Sequence, residues 1–266
     1  MLPSIVLIKG AGEVASGVAH RLFRSHFRVF MTEIPQPQAV SRGVAFCEAI
    51  YDGEKEVEGV IAKLVASKEE ISKAWEEQRL PLLVDPEASV KEILHPGVVI
   101  DAIMAKKNLG TKITDAPLVI GLGPGFHAGR DVHMVVETSW SDNLGRVILE
   151  GEAEKDTGIP IPICGLTLER VLHAPAPGLF LTNKEIGDVV TTREVVASVG
   201  GQPVRAEVGG VIRALLRSGI EVKKGIKLGE IDPSGNKEAC FHIRGRIRAI
   251  AGGVLEAILM HYGSAF

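Results

Sequence analysis

Gly10, Gly12 and Ala15 form a Gly-x-Gly-x-x-Ala pattern between an apolar run and an amphipathic segment. The first glycine permits a tight turn, the second lets a phosphate approach the backbone, and the small third residue lets helix and strand pack closely. The amino terminus of the helix that follows offers N–H groups and positive dipole to an anion. Glu33, about 20 residues on, stands where an acid would accept ribose hydroxyls. A carboxylate there favours NAD over NADP, because it repels a 2′-phosphate. The pattern predicts a nucleotide or dinucleotide site, and the competing reading is a plain βα turn with a solvated Glu33.

A second glycine loop, Gly121, Gly123 and Gly125, brings backbone N–H groups beside His127, Arg130, Asp131 and His133. It lacks the lysine and hydroxyl of a P-loop, so simple ATPase chemistry is not expected. On a strand, Asp131 and His133 would share a face and suit acid/base work. Asp101 and the run Lys106-Lys107-Asn108 can add an ion pair and an amide to the same edge. Asp101, Asp131 and His133 are therefore the candidate catalytic residues, against a structural turn with a surface histidine. Arg244, Arg246 and Arg248 alternate, so in an extended segment all three would point one way and grip phosphate or carboxylate. Arg246 and Arg248 join the binding candidates Gly10, Gly12, Ala15, Glu33, Gly121, Gly123 and Gly125, and a charged exposed face is the alternative. No HExxH, EF-hand, GxSxG or paired-cysteine motif is in the sequence, so no metal site is expected.

The elements that must position these residues start with a βαβ unit. Ser4 to Ile8 is an apolar run, Val14, Val18, Ala19 and Leu22 recur at helical spacing within Glu13 to Arg24, and Arg28 to Thr32 makes a second strand. Val57 to Val65 reads as a strand pair and Ile71 to Gln78 as a polar helix. Leu82 to Val84 and Val98 to Ile100 each end in an aspartate, and Leu118 to Ile120 runs into the second glycine loop. Apolar strands with an acid or glycine at the carboxyl end mark the ligand-binding edge of an open parallel sheet.

The second half turns to short alternating strands with frequent glycines, the pattern of a small β domain. It contains a repeat: Gly178 and Gly187 align with Gly210 and Gly219 at an offset of 32 residues. Two units of equal length, each too small to bury its own face, would stack into a barrel or sandwich, although chance alignment among 30 glycines is the bland alternative. Val254 to His261 has helical spacing after Gly252-Gly253. The expected organisation is an α/β Rossmann-like domain over residues 1–138, a β domain over 139–238, and a strand and helix over 239–266 that pack back.

Composition sets the outer bounds. The 266 residues are 45% hydrophobic and 24% charged, which fits a compact globular chain. A net charge of −3 gives no general attraction to nucleic acid or an anionic membrane, and 5% aromatics are too few for a base-stacking platform. The three cysteines have no metal or CxxC spacing and read as small buried hydrophobes. Without a basic n-region or a membrane-length apolar run, the chain reads as cytoplasmic. Two β edges are compatible with a homodimer, which no motif specifies.

Taken together, Ile8 to Gly17, Met31 to Pro37, Asp101 to Asn108, Gly121 to Phe126, Asp131 to His133 with Glu137-Thr138, and Ala251 to Ile258 resemble the accessory proteins of selenium-dependent molybdenum hydroxylase systems, the YqeB family. The likeness covers nearly the whole chain in order. Its first half is distantly similar to the Rossmann domain of xanthine dehydrogenase maturation factors. The resemblance implies a prokaryotic maturation factor that binds molybdopterin dinucleotide or another nucleotide and works with a molybdenum hydroxylase and cofactor-loading proteins. The resemblance also implies an acid near Gly245, which this chain lacks; if that acid takes part in the site, the arginine cluster here has a different charge balance. The repeat also looks like a biotinyl or lipoyl fold, with no lysine in a modifiable context. Two other readings stay open: an NAD-dependent oxidoreductase, and a docking module between hydroxylase and cofactor donor.

Overall fold

The structure, a computed structural model, describes residues 5–263, so Ser4 lies outside the described residues. The chain divides into two compact units. One takes the residues up to Pro37, Ala45–Thr157 and those from Ile243 on; the other takes Gln38–Val44 and Gly158–His242. The first therefore runs past residue 138, because one later strand, Val147–Ile148, joins its large sheet and another, Gly151–Glu152, pairs with His127–Ala128, and the β unit claims a short segment near residue 40.

In the first unit, β1 (Ile5–Lys9), α1 (Glu13–Arg24) and β2 (Arg28–Glu33) form the expected βαβ unit. Helix α1 has Glu13 in its first turn and Arg21 and Arg24 in its last, which complements its dipole, and it buries Ala15, Val18, Ala19 and Leu22 along one face. After α2 (Ala49–Asp52), β3 (Glu54–Val57) and β4 (Val60–Val65) make a hairpin whose tip, Glu58-Gly59, has positive φ at both residues. Helix α3 (Lys68–Glu76) is capped by Ser67, which accepts the Glu70 amide while Glu70 accepts the Ala66 amide. Then come β5 (Leu80–Val84), α4 (Lys91–Leu94), β6 (Val98–Asp101), β7 (Leu118–Leu122), β8 (His127–Ala128), β9 (Met134–Val136), β10 (Val147–Ile148) and β11 (Gly151–Glu152). Nine strands form one sheet in the order β10-β9-β7-β6-β1-β2-β5-β4-β3, while β8 and β11 pair separately. Only the edge strands β3 and β10 run antiparallel to their neighbours. Leu7, Phe30, Val99 and Val119 lie in one core cluster on the sheet, with Ile71 and Ala74 of α3 and Leu94 of α4.

The carboxyl end of this unit differs from the extended arginine segment expected. Helix α5 spans Gly245–Tyr262, with only Arg244 outside it at the N-cap. The deciding pattern is Ile243, Ile247, Ile250, Val254 and Ile258, all buried and spaced for one helical face. Gly252-Gly253 lies inside the helix instead of starting it. A Cβ on Gly253 would fall 2.0 Å from the Gly145 carbonyl oxygen, so the absent side chain admits a neighbouring loop.

The second unit comprises β12 (Val171–His173), β13 (Gly178–Leu181), β14 (Val189–Val190), β15 (Val195–Val199), β16 (Gln202–Arg205), β17 (Gly210–Leu215), β18 (Ile220–Val222) and β19 (Lys227–Asp232). They form two four-stranded antiparallel sheets, β12-β19-β17-β14 and β16-β15-β13-β18, around one core. Moving β12 to β15 forward by the sequence repeat turns each into its counterpart among β16 to β19. Gly178 opposite Val222 becomes Gly210 opposite Val190, and Phe180 opposite Val199 becomes Ile212 opposite Ile231. Overall the molecule is a mixed α/β chain with a large, mostly parallel sheet, smaller antiparallel sheets and a carboxyl-terminal helix.

Candidate functional site

Strand register places Thr32, Lys9, Asp101 and Gly121 in one row across β2, β1, β6 and β7, at the carboxyl ends. Lys9 and Asp101 are both buried. The Lys9 ammonium donates to Thr111 Oγ1 at 2.6 Å, and that hydroxyl donates to Asp101 Oδ2 at 2.5 Å. Lys9 Nζ is 3.7 Å from the same carboxylate oxygen, and Asp101 Oδ1 accepts the Ile103 amide at 3.2 Å. Asn108 shapes the loop that presents Thr111: its Oδ1 accepts the Gly110 and Thr111 amides, and its Nδ2 donates to the Thr111 carbonyl. The expected placing of Asp101 and Asn108 at this edge is met, while Lys106 turns to the exposed Asp156.

Beside this row lies a cleft of about 1100 Å³, lined by Lys9, Gly10, Thr32 and Glu33 from the ends of β1 and β2 and by both chain segments that leave β5 and β6. Its far wall includes Lys91, which is paired with Asp115 at 2.8 Å. The volume suits a large small-molecule ligand.

Gly10 has φ +94, and a Cβ there would meet the Ala102 carbonyl oxygen and Ile103 Cα at 3.1 Å, so this turn requires glycine. Its amide donates to the Thr32 carbonyl at 2.8 Å. The Ala11 amide donates to Glu33 Oε2 at 2.8 Å, and the Ile34 amide donates to Glu33 Oε1 at 2.8 Å. Two of the amides expected to receive an anion are thus engaged within the protein, one of them by the acid expected to hold ribose. Burial pushes the Glu33 carboxyl above its ordinary range, against the downward pull of the two amide bonds. Gly12 caps α1 with no side-chain hydrogen bond, and a Cβ on it would meet nothing within 4 Å. Ala15 is fully buried and serves helix packing. Cys47 donates its amide to the Ala11 carbonyl; burial, with Glu33 and Glu48 nearby, pushes its thiol well up, so it is an inert hydrophobe. Cys240 is likewise buried, whereas Cys164 departs from expectation: it is exposed at a turn with φ 52.

The second glycine loop is closed by its own neighbours. Cβ atoms on Gly121, Gly123 and Gly125 would lie 2.5 Å from the Phe126 ring, 2.3 Å from Thr138 Oγ1 and 2.6 Å from the Lys107 backbone. None of the three lines the cleft. Asp131 and His133 do not share a strand face, because β9 begins only at Met134. Asp131 accepts the His127 amide and pairs with the exposed Arg130. His133 Nδ1 instead accepts the Val119 amide at 3.0 Å. Burial, then the neighbouring His261, lowers the His133 pKa. Asp131 and His133 are each spent on separate structural bonds and do not join Asp101 in one constellation.

The arginines separate as well, since residues two apart on a helix point about 200° from one another. Arg244 pairs with Glu13 at 2.9 Å, Arg246 Nε donates to the Thr138 carbonyl at 3.2 Å, and Arg248 donates to both carboxylate oxygens of Glu58 at 2.7 Å. Glu58 and Lys9 were missed in the sequence. The signal for Lys9 was its position, a lone charge closing the apolar run Ile5-Val-Leu-Ile just before Gly10. Among the described residues there is no cluster of three or more His, Cys, Asp or Glu side chains able to hold a metal ion, and no helix long and apolar enough to cross a membrane.

No protein-family model matches the sequence. Over 261 residues, 97% of this chain, it is 45% identical to the uncharacterized protein YqeB of Escherichia coli (strain K12). The chain is a YqeB homologue. It spans about half of YqeB, 48% of that protein's length. Solved structures offer only slight likeness. An aspartoacylase family protein from Mesorhizobium loti shows 12% identity and a TM-score of 0.27, over 87% of this chain and 85% of that one. The product-bound ectoine utilization protein EutE (DoeB) from Ruegeria pomeroyi shows 13% and 0.26, over 86% and 85%. Scores this low carry no argument beside the YqeB match.

Proposed function

We propose that this chain is a cytoplasmic accessory factor of a selenium-dependent molybdenum hydroxylase system, and that it binds a nucleotide-bearing anion such as molybdopterin dinucleotide. The observation that carries the binding half is the cleft at the ends of β1 and β2, with Gly10, Glu33 and Lys9 in its wall. The order β5-β2-β1-β6-β7-β9 within the sheet supports a Rossmann-like reading, because it matches the doubly wound order 3-2-1-4-5-6, whose ligands sit at the strand ends where the order reverses. The hydroxylase half rests on the family resemblance of the sequence and its YqeB likeness. For the second unit, the two sheets related by the repeat favour a lipoyl-like fold. Its β15–β16 turn is Gly200-Gly201, which offers no lysine for a swinging arm, so the unit would act in docking.

The residues present fit such an anion in part. Gly10 gives close backbone approach and Gly12 leaves open space at the α1 amino terminus, but the Gly10 and Ala11 amides are engaged. When bound, molybdopterin dinucleotide would supply the hydroxylase its metal-binding dithiolene; this chain's residues would bind and orient the nucleotide end.

Calorimetric titration with ADP, CDP, NAD and extracted molybdenum cofactor tests the reading. Because a Cβ at position 12 meets no protein atom within 4 Å, Gly12→Leu should fold normally yet lose nucleotide binding. Equal binding by Gly12→Leu and wild type would remove the glycine turn from the site. NAD binding with a substrate-linked absorbance change would favour an NAD-dependent oxidoreductase instead. Co-purification with a molybdenum hydroxylase subunit tests the accessory role.

A further inference from the structure

Lys9 is 7% exposed, and its interactions are the one hydrogen bond to Thr111 Oγ1 and the 3.7 Å ion pair with Asp101. An ammonium carries three N–H donors. The ion-pair distance is beyond hydrogen-bond reach, so two donors of a buried cation have no acceptor among the described residues. The same side chain lines the cleft, whereas Asp101 and Thr111, each 2% exposed, are not among its lining residues. The network thus has a direction. Asp101 balances the charge and anchors the Thr111 hydroxyl, that hydroxyl fixes the ammonium, and Lys9 lines the space where a ligand would lie.

We infer that Lys9 is the binding residue for an oxyanion of the ligand, a phosphoryl or diphosphate group, and that Thr111 and Asp101 are its positioning residues. This rests on the reading of the cleft as a nucleotide site, and it changes how the anion is held. The main grip is a pre-oriented ammonium at the end of β1, because the Gly10 and Ala11 amides already have acceptors. An oxyanion supplies the acceptors that the two donors lack, and a charge-assisted bond from a pinned lysine is stronger than one from a neutral amide. A neutral nucleoside without phosphate would gain nothing from Lys9.

Calorimetry with ADP, CDP and inorganic pyrophosphate, on the full chain at fixed ionic strength, tests this. Lys9→Gln should weaken binding of all three by about ten- to a hundredfold. Thr111→Val should weaken it less, and Thr111→Ser should restore it, a rescue that a purely structural loss would not show. If Lys9→Gln fails to fold with Asp101 left unbalanced, the double variant Lys9→Gln/Asp101→Asn removes both charges together and carries the same expectation. Wild-type protein gives an independent readout: pyrophosphate should protect Lys9 from reductive methylation, measured by peptide mass. Unchanged affinity in the Lys9 variants, or no protection of Lys9 while ADP or CDP still binds, overturns the lysine assignment and leaves the nucleotide site standing. Failure of wild type to bind any of the three overturns both.

Discussion

The Gly219 amide donates to the Phe180 carbonyl at 2.8 Å, and the Gly187 amide donates to the Ile212 carbonyl at 2.8 Å. The second bond is the first with the two halves of the repeat exchanged, since Phe180 corresponds to Ile212 and Gly187 to Gly219. Each half of the β unit is therefore closed by the other. Neither half could bury Phe180 or Ile212 alone, both of which are fully buried in the shared core.

Equivalent glycines in the two halves should respond alike to substitution. Gly178 and Gly210 have φ +142 and +152, and their Cβ atoms would lie 2.8 Å from Gly200 Cα and 2.3 Å from the Asp232 carbonyl oxygen. Gly178→Ala and Gly210→Ala should each cost about 1–3 kcal/mol from backbone strain, and more from the clash. Gly219→Ala, with open space around it, should cost only about 1–2 kcal/mol. Urea denaturation of the three variants checks the ranking; a Gly210 variant as stable as wild type would contradict the close approach.

How far the sequence reveals the fold varies by element. The βα turn was legible because Gly10 and the apolar strand before it are neighbours in sequence, and the repeat was legible because the glycines need positive φ at equivalent points. The Lys9–Thr111 bond joins residues 102 apart, and no local spacing foretells it. In the arginine segment a period of two on charged residues competed with a helical period on buried isoleucines; burial outweighs surface charge in choosing the element. The second glycine loop misled for a related reason. Glycine admits a ligand or a neighbouring protein atom equally well, and here Phe126, Thr138 and Lys107 take the space.

Glu58 should act as a pH-dependent clamp. At the β3–β4 hairpin tip it accepts two bonds from Arg248 and one from the Ile243 amide at 2.8 Å. Burial pushes its pKa upward, but the Arg248 and Ile243 bonds and the nearby charge outweigh it, and the net shift is downward. A depressed carboxyl pKa gives stability that is present above the unfolded value of 4.5 and is lost as pH falls through the folded value. Glu58→Gln should therefore cost about 1–2 kcal/mol at pH 7, and the cost should shrink progressively as pH falls below 4.5. A cost independent of pH would show that the charge on Glu58 does not matter.

Helices α1 and α5 should be coupled through Gly17. A Cβ on Gly17 would fall 2.2 Å from Ile247 Cγ2, so Gly17→Ala overpacks the contact, at about 1–3 kcal/mol. Ile247→Ala leaves a cavity, and the loss is about 2–5 kcal/mol. In the double variant the new methyl occupies part of that cavity, and the total should fall below the sum of the two singles. Additive losses in denaturant titrations would mean the helices separate more readily than this packing implies.

Two histidines, buried His20 and partly buried His133, should make the protein acid-sensitive just below neutral pH. His20 faces the Glu58 carbonyl through Nε2 at 3.2 Å, which as the N–H tautomer it can donate to, and burial lowers its pKa against that bond and the Glu58 charge. His133 must keep Nδ1 unprotonated to accept the Val119 amide, and burial and His261 lower its pKa too. With both folded values below the unfolded 6.5, the unfolded chain binds more protons in the interval between them, so stability falls as pH drops through 6.5 toward the folded values. His20→Gln keeps a donor for the Glu58 carbonyl without a titrating ring, and should flatten its share of that slope while leaving stability at pH 8 within about 1 kcal/mol of wild type. Thermal melts between pH 5 and 8 read the slopes directly, and an unaltered slope in His20→Gln would assign the acid sensitivity to other groups.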